Sequence, residues 1–455
     1  MKIGYLPLGR ETFDIQEAER IRRVTISALE NKDPRLLDYD KVITDPEEAG
    51  SIAKEAAENG ARLLLVQTCT FVDGRFAFSI KNNWDGPLVL WSVDEPQNGD
   101  RLRLNSLTGA NLLSNTFRSL GITIRYIHGS PSSPDTISEI LNYANSLSVI
   151  ESMRNSNLGI FGRVPPGFHC GEADELTLGR LFGIGVKHFT LPYLFDRAER
   201  IPTASLNEVF DHLKQVIDGV ERSPSTEKTV RAYLSLREII EEENLVGVAV
   251  RCWPEFFTDF GGAACGALSQ LCEDGFMSAC EADINGLVSM IILSKLSGQP
   301  SYLGDMVAID NENNCATFWH CGGGGAYSLA KKGTHPKSIL HPNRQQGLSL
   351  DFNLKPGKVT ITRLNKDPTG YRLLILEGLS IEEGGRHFKG TTVNVRFEGE
   401  MKNLLNMIMT NGIEHHYAIG YGHHGRQLRE IAEHVGLEIL DASNKLIDGK
   451  LIMDS

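Results

Sequence analysis

Two short acidic segments, Cys280-Glu281-Ala282-Asp283 and Gly304-Asp305-Met306, carry the side chains best suited to chemistry. A crowd of histidines follows them: 9 of the 13 lie at or after residue 320, densest in Glu414-His415-His416 and His423-His424. Asp305 stands in an otherwise apolar stretch, where an unpaired carboxylate is expensive to bury. It needs a partner there, and a metal ion is one. Asp283 suits the N-cap of the apolar helix that starts at Ile284, because a short carboxylate accepts from the orphan N–H groups. That role leaves Glu281, just ahead of the helix, unexplained. Two carboxylates and one imidazole suit an octahedral, borderline-hard divalent ion, Mn²⁺ first, with Co²⁺ or Mg²⁺ as alternatives. Spacing alone does not decide this, since any large acidic chain offers such trios. Side chains alternate along an extended segment, so only one of the adjacent His415 and His416 is expected to be a ligand. His320, in Phe318-Trp319-His320-Cys321 before four glycines, is a further candidate for binding metal or substrate. Zinc held by Cys315, His320 and Cys321 would lack the usual CxxC spacing.

These residues need a scaffold that brings 281, 305 and one C-terminal histidine together. Apolar runs at Lys2–Leu6, Ala61–Gln67 and Pro87–Trp91 alternate with helical patterns at Ile15–Leu29 and Pro46–Asn59, as in βαβ units around a parallel sheet. A second series follows, with strands at Leu158–Gly162, Gly185–Phe189 and Leu245–Val250 and helices at Ser205–Ile217, Glu227–Glu242 and Gly261–Glu273. After Asn343 the pattern changes to period two, at Gly347–Phe352, Lys358–Leu364 and Thr391–Phe397, which reads as an antiparallel sheet or small barrel. The expected fold is therefore two Rossmann-like parallel α/β domains, 1–155 and 156–298, followed by a β-rich, barrel-like domain over 299–455. Ligand groups in open α/β sheets gather beyond the C-terminal ends of strands, which makes Arg10 and Gln67 candidates for binding substrate. No GxGxxG follows the first strand, so a dinucleotide fingerprint is absent.

Length and composition narrow the function further. At 455 residues, about 150 to a domain gives room for roughly three domains and large cores. The net charge of −12 argues against nucleic acid as a partner. No run of 18 apolar residues suggests a membrane span. The start reads as a strand and not as a signal peptide. Eight scattered cysteines without a CxxC pair fit reduced thiols in a cytoplasmic protein.

The segment Cys280–Met290 resembles the metal-glutamate segment of the L-fucose isomerase and L-arabinose isomerase superfamily. Gly304-Asp305-Met306-Val307 is similar to the fucose-isomerase segment with its metal aspartate. Gly412–His416 looks like the C-terminal His-His of the arabinose enzymes, where the second histidine binds metal, which points to His416. His320 matches a further metal-site histidine of those enzymes. The mixture of fucose-type Asp305 and arabinose-type His415-His416 leaves the sugar open, and isomerases of sulfoquinovose, a sulfonated glucose, belong to the same superfamily. Arg10, Arg75 or Arg251 could meet a sulfonate.

The resemblance implies an aldose–ketose isomerase working through a cis-enediol, with Glu281 and Asp305 as acid/base pair and Glu281, Asp305 and His416 as metal ligands. It also implies a homo-oligomer, trimer or hexamer, in which a neighbour's N-terminal domain covers the pocket and brings Arg10, Gln67 and Trp91 to the substrate. A metal-dependent sugar lyase or epimerase, and a non-catalytic sugar-binding protein, are the alternatives.

Overall fold

The computed structural model describes residues 1–30, 36–97, 101–382 and 387–441. The end of the expected C-terminal domain, 442–455, lies outside them. The chain divides into two compact units, the first Met1–Glu151 and the second from Ser152 onward.

The first unit is a five-stranded parallel sheet. Its strands are β1 (Lys2–Leu8), β2 (Leu36–Leu37), β3 (Ala61–Thr68), β4 (Leu88–Ser92) and β5 (Ile124–His128), in the order β2-β1-β3-β4-β5. The helices α1 (Ile15–Glu30), α2 (Pro46–Glu58), α3 (Arg75–Lys81) and α4 (Ser106–Ser119) connect them, and α5 (Pro134–Met153) follows β5. Central strands buried on both faces are apolar throughout, as Leu63-Leu64-Leu65-Val66 shows. Helix α2 starts where the sequence says it should: Asp45 accepts from Glu47 N and Glu48 N, both at 2.9 Å, and Pro46 follows it.

The second unit joins a parallel sheet to a closed barrel. β6 (Asn157–Phe161), β7 (Gly185–Phe189), β8 (Leu245–Val250) and β9 (Met277–Cys280) form the sheet, in the order β7-β6-β8-β9. Its helices are α6 (Glu175–Phe182), α7 (Leu191–Arg200), α8 (Thr203–Val216), α9 (Pro224–Glu243), α10 (Cys265–Glu273) and α11 (Ile284–Ser297). Helix α10 starts later than the sequence suggests. Residues Phe256–Phe260 form a π-helical turn, and Gly261, with φ 81°, ends it in the left-handed region. Helix α11 is apolar on every side because it is sandwiched, packing on β8 and β9 and also on barrel strands of the same unit.

The remaining strands are β10 (Tyr302–Asp310), β11 (Cys315–His320), β12 (Lys337–Ile339), β13 (Ser349–Asn353), β14 (Gly357–Asp367), β15 (Gly370–Ile381), β16 (Thr391–Arg396), β17 (His416–Tyr421) and β18 (Glu438–Asp441). Between them lie α12 (Met401–Thr410) and α13 (Gly425–Val435). The order β16-β11-β10-β17-β14-β15 closes on itself through β15–β16, and every pairing in this ring is antiparallel. Two outer pairings are parallel, β13 on β16 and β18 on β15. Period-two alternation gives a strand's faces but not its direction, so the antiparallel expectation for Gly347–Phe352 holds only for its pairing with β12.

Candidate active site

Glu281 follows β9 in a strained turn. Glu281 (φ 58°) and Ala282 (φ 57°) are consecutive non-glycine residues in the left-handed region, a conformation costing about 1–3 kcal/mol each. Ala282 N bonds Val250 O and Asp283 N bonds Cys280 O, both at 3.1 Å, which pins the turn to the ends of β8 and β9. The strain aims the Glu281 carboxylate away from the α11 N-terminus and toward the barrel. Trp253 Nε1 donates to its Oε1 at 2.9 Å, and its Oε2 lies 3.1 Å from His415 Nε2 and 3.7 Å from His416 Nε2.

Asp305 and His416 are direct partners across the β10–β17 ladder. Asp305 Oδ1 lies 3.6 Å from His416 Nε2, and it is buried without a hydrogen-bond partner. One imidazole nitrogen thus faces both carboxylates. Separations of about 3–4 Å are those of donors sharing one ion bound at about 2.1 Å, and a buried, unpartnered carboxylate oxygen is what such an ion would satisfy. The donors therefore fit a divalent metal. One group whose ligand atoms all lie within 4.8 Å of one another is Glu281, His415 and His416, and Asp305 joins it only through His416.

Asp283 has two roles, of which the sequence showed one. It caps α11, accepting from Gly286 N at 2.9 Å. Its other oxygen lies 2.9 Å from His416 Nδ1 and 2.5 Å from Arg363 Nη1. With Nδ1–H donating to Asp283, His416 keeps its Nε2 lone pair toward Glu281 and Asp305. Arg363 is buried and is shared with Glu414, its Nε 3.4 Å from Oε2. Burial would raise the Asp283 carboxyl, but Arg363 and His416 reverse that and hold it well below the usual carboxylate range.

The two facing carboxylates are pushed in opposite directions. Burial raises both, yet His415, His416 and Trp253 bring Glu281 below its ordinary value. For Asp305 burial prevails over the two histidines, with Glu281 and Asp283 adding to it, and the group is raised. Burial would lower His415, but the contacts with Cys170 and Glu281 lift it to about 10.

The histidine pair departs from the expected alternation. His415 sits in a bend before β17, so strand alternation does not reach it, and the ring centroids lie 4.2 Å apart with both rings on Glu281. His320 ends β11 and is buried between two thiols, its Nε2 3.3 Å from Cys280 Sγ and its Nδ1 3.5 Å from Cys321 Sγ. Burial above all pushes it down to about 3, which keeps it neutral. Cys315 packs elsewhere, and the soft donors near this wall include the groups Cys265, Cys321, His341 and Cys280, His320, His416.

Glu281, Asp305, His320 and His416 line a cavity of about 350 Å³ with Trp253 and Trp319. The candidates in the first unit have other surroundings. Gln67 is buried, its Oε1 accepting from Tyr5 Oη at 2.5 Å and from Thr25 Oγ1 at 3.1 Å. Trp91 is buried in the core and donates from Nε1 to Gly129 O at 2.9 Å. Arg10 is exposed beyond the end of β1, 5.8 Å from the Phe71 ring centre. Sequence reasoning missed Trp253, Arg363, Glu414 and the second role of Asp283. The available signal was an Asp-Ile-Asn-Gly cap beside Glu281, too short to show that the same carboxylate reaches a histidine 133 residues away.

Two family models match the chain: "Fucose/sulfoquinovose isomerase, N-terminal domain" over residues 4–154 and "L-fucose isomerase, C-terminal domain" over 326–442. The sulfoquinovose isomerase of Priestia aryabhattai is 37% identical over 439 residues, covering 95% of this chain and 97% of that protein. That of Alkalicoccus urumqiensis is 35% identical over 443 residues, covering 97% and 99%. That of Clostridium sp. (strain MSTE9) is 30% identical over 443 residues, covering 96% and 98%. The chain belongs to the fucose/sulfoquinovose isomerase family. It is a metal-dependent aldose–ketose isomerase, acting on a small-molecule sugar through an enediol. Membership sets aside the lyase, epimerase and binding-protein alternatives. Among the described residues no helix is long and apolar enough to cross a membrane.

Proposed function

We propose that this isomerase interconverts sulfoquinovose and its ketose, with Glu281 and Asp305 moving the proton. The observation that carries the site reading is the buried, unpartnered Asp305 Oδ1 facing His416 Nε2, with Glu281 on the same nitrogen. The substrate reading rests on the likeness to three sulfoquinovose isomerases along almost the whole chain.

Glu281, Asp305 and His416 would hold the ion. A bound divalent ion, Mn²⁺ by the hardness of this donor set with Co²⁺ or Mg²⁺ as alternatives, polarises the sugar carbonyl and acidifies the C–H beside it. One of the two carboxylates takes the proton from C2, and the pair returns a proton at C1 as the carbonyl moves. Trp253 and His415 hold the Glu281 oxygens, so that little reorganisation accompanies the transfer. Neutral His320 supplies a donor or acceptor for a sugar hydroxyl.

The eight unpaired cysteines support a reducing, cytoplasmic setting. The working assembly is a homo-oligomer, trimer or hexamer, and activity should fall on dilution to monomer with metal saturating.

The deciding experiment strips the metal, restores Mn²⁺, and incubates the protein with sulfoquinovose and neutral aldoses in D₂O under NMR. Metal-dependent formation of the ketose, with deuterium at the receiving carbon, is expected. Turnover of neutral aldoses alone would overturn the substrate. Equal turnover without metal would overturn the site.

A further inference from the structure

The active-site cavity carries one fixed positive charge. Arg344 is the sole lysine or arginine among its lining residues, and its guanidinium lies over the Phe257 ring, 5.9 Å from the centroid. Three other arginines are already engaged with carboxylates, while Arg10 lies over the Phe71 ring and is not in this lining. Arg251 is held by Glu255 at 2.5 and 2.8 Å, Arg75 by Asp73, and Arg363 by Asp283 and Glu414. Arg344 pairs with no carboxylate among the described residues.

Its backbone is fixed even though its head is not. His341 N bonds Gln346 O at 3.1 Å, and Arg344 N bonds His341 O at 3.2 Å, closing residues 341–346 into a small loop. Asn343 N adds a bond to His341 Nδ1 at 3.2 Å. The His341 ring packs edge-on against Phe257 at 5.0 Å, so one aromatic ring seats both the loop and its guanidinium.

Resting on the reading of a sulfonated substrate, we propose that Arg344 is the specificity residue that binds the sulfonate at C6. A sulfonate presents three oxygens and one negative charge, and a guanidinium fork can donate to two of those oxygens at once. Glu281 and Asp305, both beside His416, mark the end where the chemistry takes place. The hydroxyl and carbonyl end of the sugar goes to that end, and the sulfonate goes to Arg344. The single guanidinium of the lining thus sets which way round the sugar enters. A sugar with a hydroxyl at C6 leaves the guanidinium without this contact and loses little when it is removed.

The test compares sulfoquinovose with glucose, its hydroxyl counterpart, on metal-loaded wild type, Arg344→Met and Arg344→Lys. Arg344→Met should raise KM for sulfoquinovose at least tenfold, leave its kcat within about threefold, and shift both constants for glucose by much less than the KM for sulfoquinovose. Arg344→Lys should fall between, because an ammonium keeps the charge without the fork. Rising salt should raise KM for the wild type and not for Arg344→Met. An unchanged KM in Arg344→Met, or an equal loss on both sugars, overturns the assignment while the substrate reading stands. A wild type with no preference for the sulfonated sugar overturns both.

Discussion

β3 and β9 both run an apolar stretch of parallel sheet into a polar turn, Gln67-Thr68 in one case and Glu281 in the other. At the end of β3 the polar atoms are used up internally. Gln67 Oε1 accepts from Tyr5 and Thr25, and Thr68 Oγ1 lies 3.1 Å from Ser106 Oγ. Only the neutral Gln67 Nε2 is left bare. Past β9 the inventory does not balance. Glu281, Asp305 and His416 bring two acids to one nitrogen, and an anionic oxygen of Asp305 finds no donor. A bare carboxylate oxygen is much costlier than a bare amide N–H, so the second turn needs something from outside the chain and the first does not. What distinguishes a site from a core is the unfilled demand, and not the polarity of the strand end.

The largest effect should come from equivalent changes at the two turns. Glu281→Gln should lower kcat by about 10³-fold, the range of a lost acid/base group, with the fold intact by circular dichroism. Gln67→Leu should leave kcat within about twofold and cost about 1–3 kcal/mol in urea unfolding. Similar losses of kcat in both variants would break the contrast.

Next comes the support behind His416. Asp283→Asn leaves the buried Arg363 with Glu414 as its one charged partner and should cost about 3–5 kcal/mol. It should also weaken metal binding about 10–100-fold, read by competition with a chelator. The pH dependence follows in sign. The folded Asp283 carboxyl is held below its unfolded value of about 3.9, so its contribution is complete above about pH 4 and is lost as pH falls below that. Acid unfolding curves should therefore be steeper below pH 4 for the wild type than for Asp283→Asn.

The smallest effect sharpens the comparison most. Burial raises Asp305, so at neutral pH its charge opposes folding of the metal-free protein. Asp305→Asn should stabilise the protein in EDTA by about 1 kcal/mol and abolish the gain in Tm that metal gives the wild type. A variant destabilised in EDTA would mean that Asp305 has a protein partner after all.

The readable parts of this chain were those where a residue contradicts its surroundings. Asp305 in an apolar strand and Glu281 beside an already capped helix stood out because burial and capping physics leave them unexplained. His416 stood out from His415 only through resemblance, since an alternation rule cannot place a residue in the bend before the strand. The fold was legible where periodicity was strong, in β3, β8 and the C-terminal strands. The parallel pairing of β13 and the π-helical turn before α10 depend on partners distant in sequence. Arg363 lies 80 residues from Asp283, and nothing local in a β-strand arginine announces a buried ion pair. Arg344 sits in a loop without period, and only closure of that loop brings it to the cavity.

The ring of β10, β11 and β14–β17 has no free edge, and Asp305 faces His416 within it. A strand in such a ring cannot slide by a fraction of a residue, and a whole-residue step would turn Asp305 to the other face. The chemistry is thus locked to a register, while the loop over 341–346 lies outside the ring's ladders. On the proposal for Arg344, a lineage of such enzymes can try new sugars by rewriting that loop, one substitution at a time, without moving the ladder that holds Asp305 against His416. The fold separates what is done to a substrate from which substrate is accepted, and so leaves recognition free to drift.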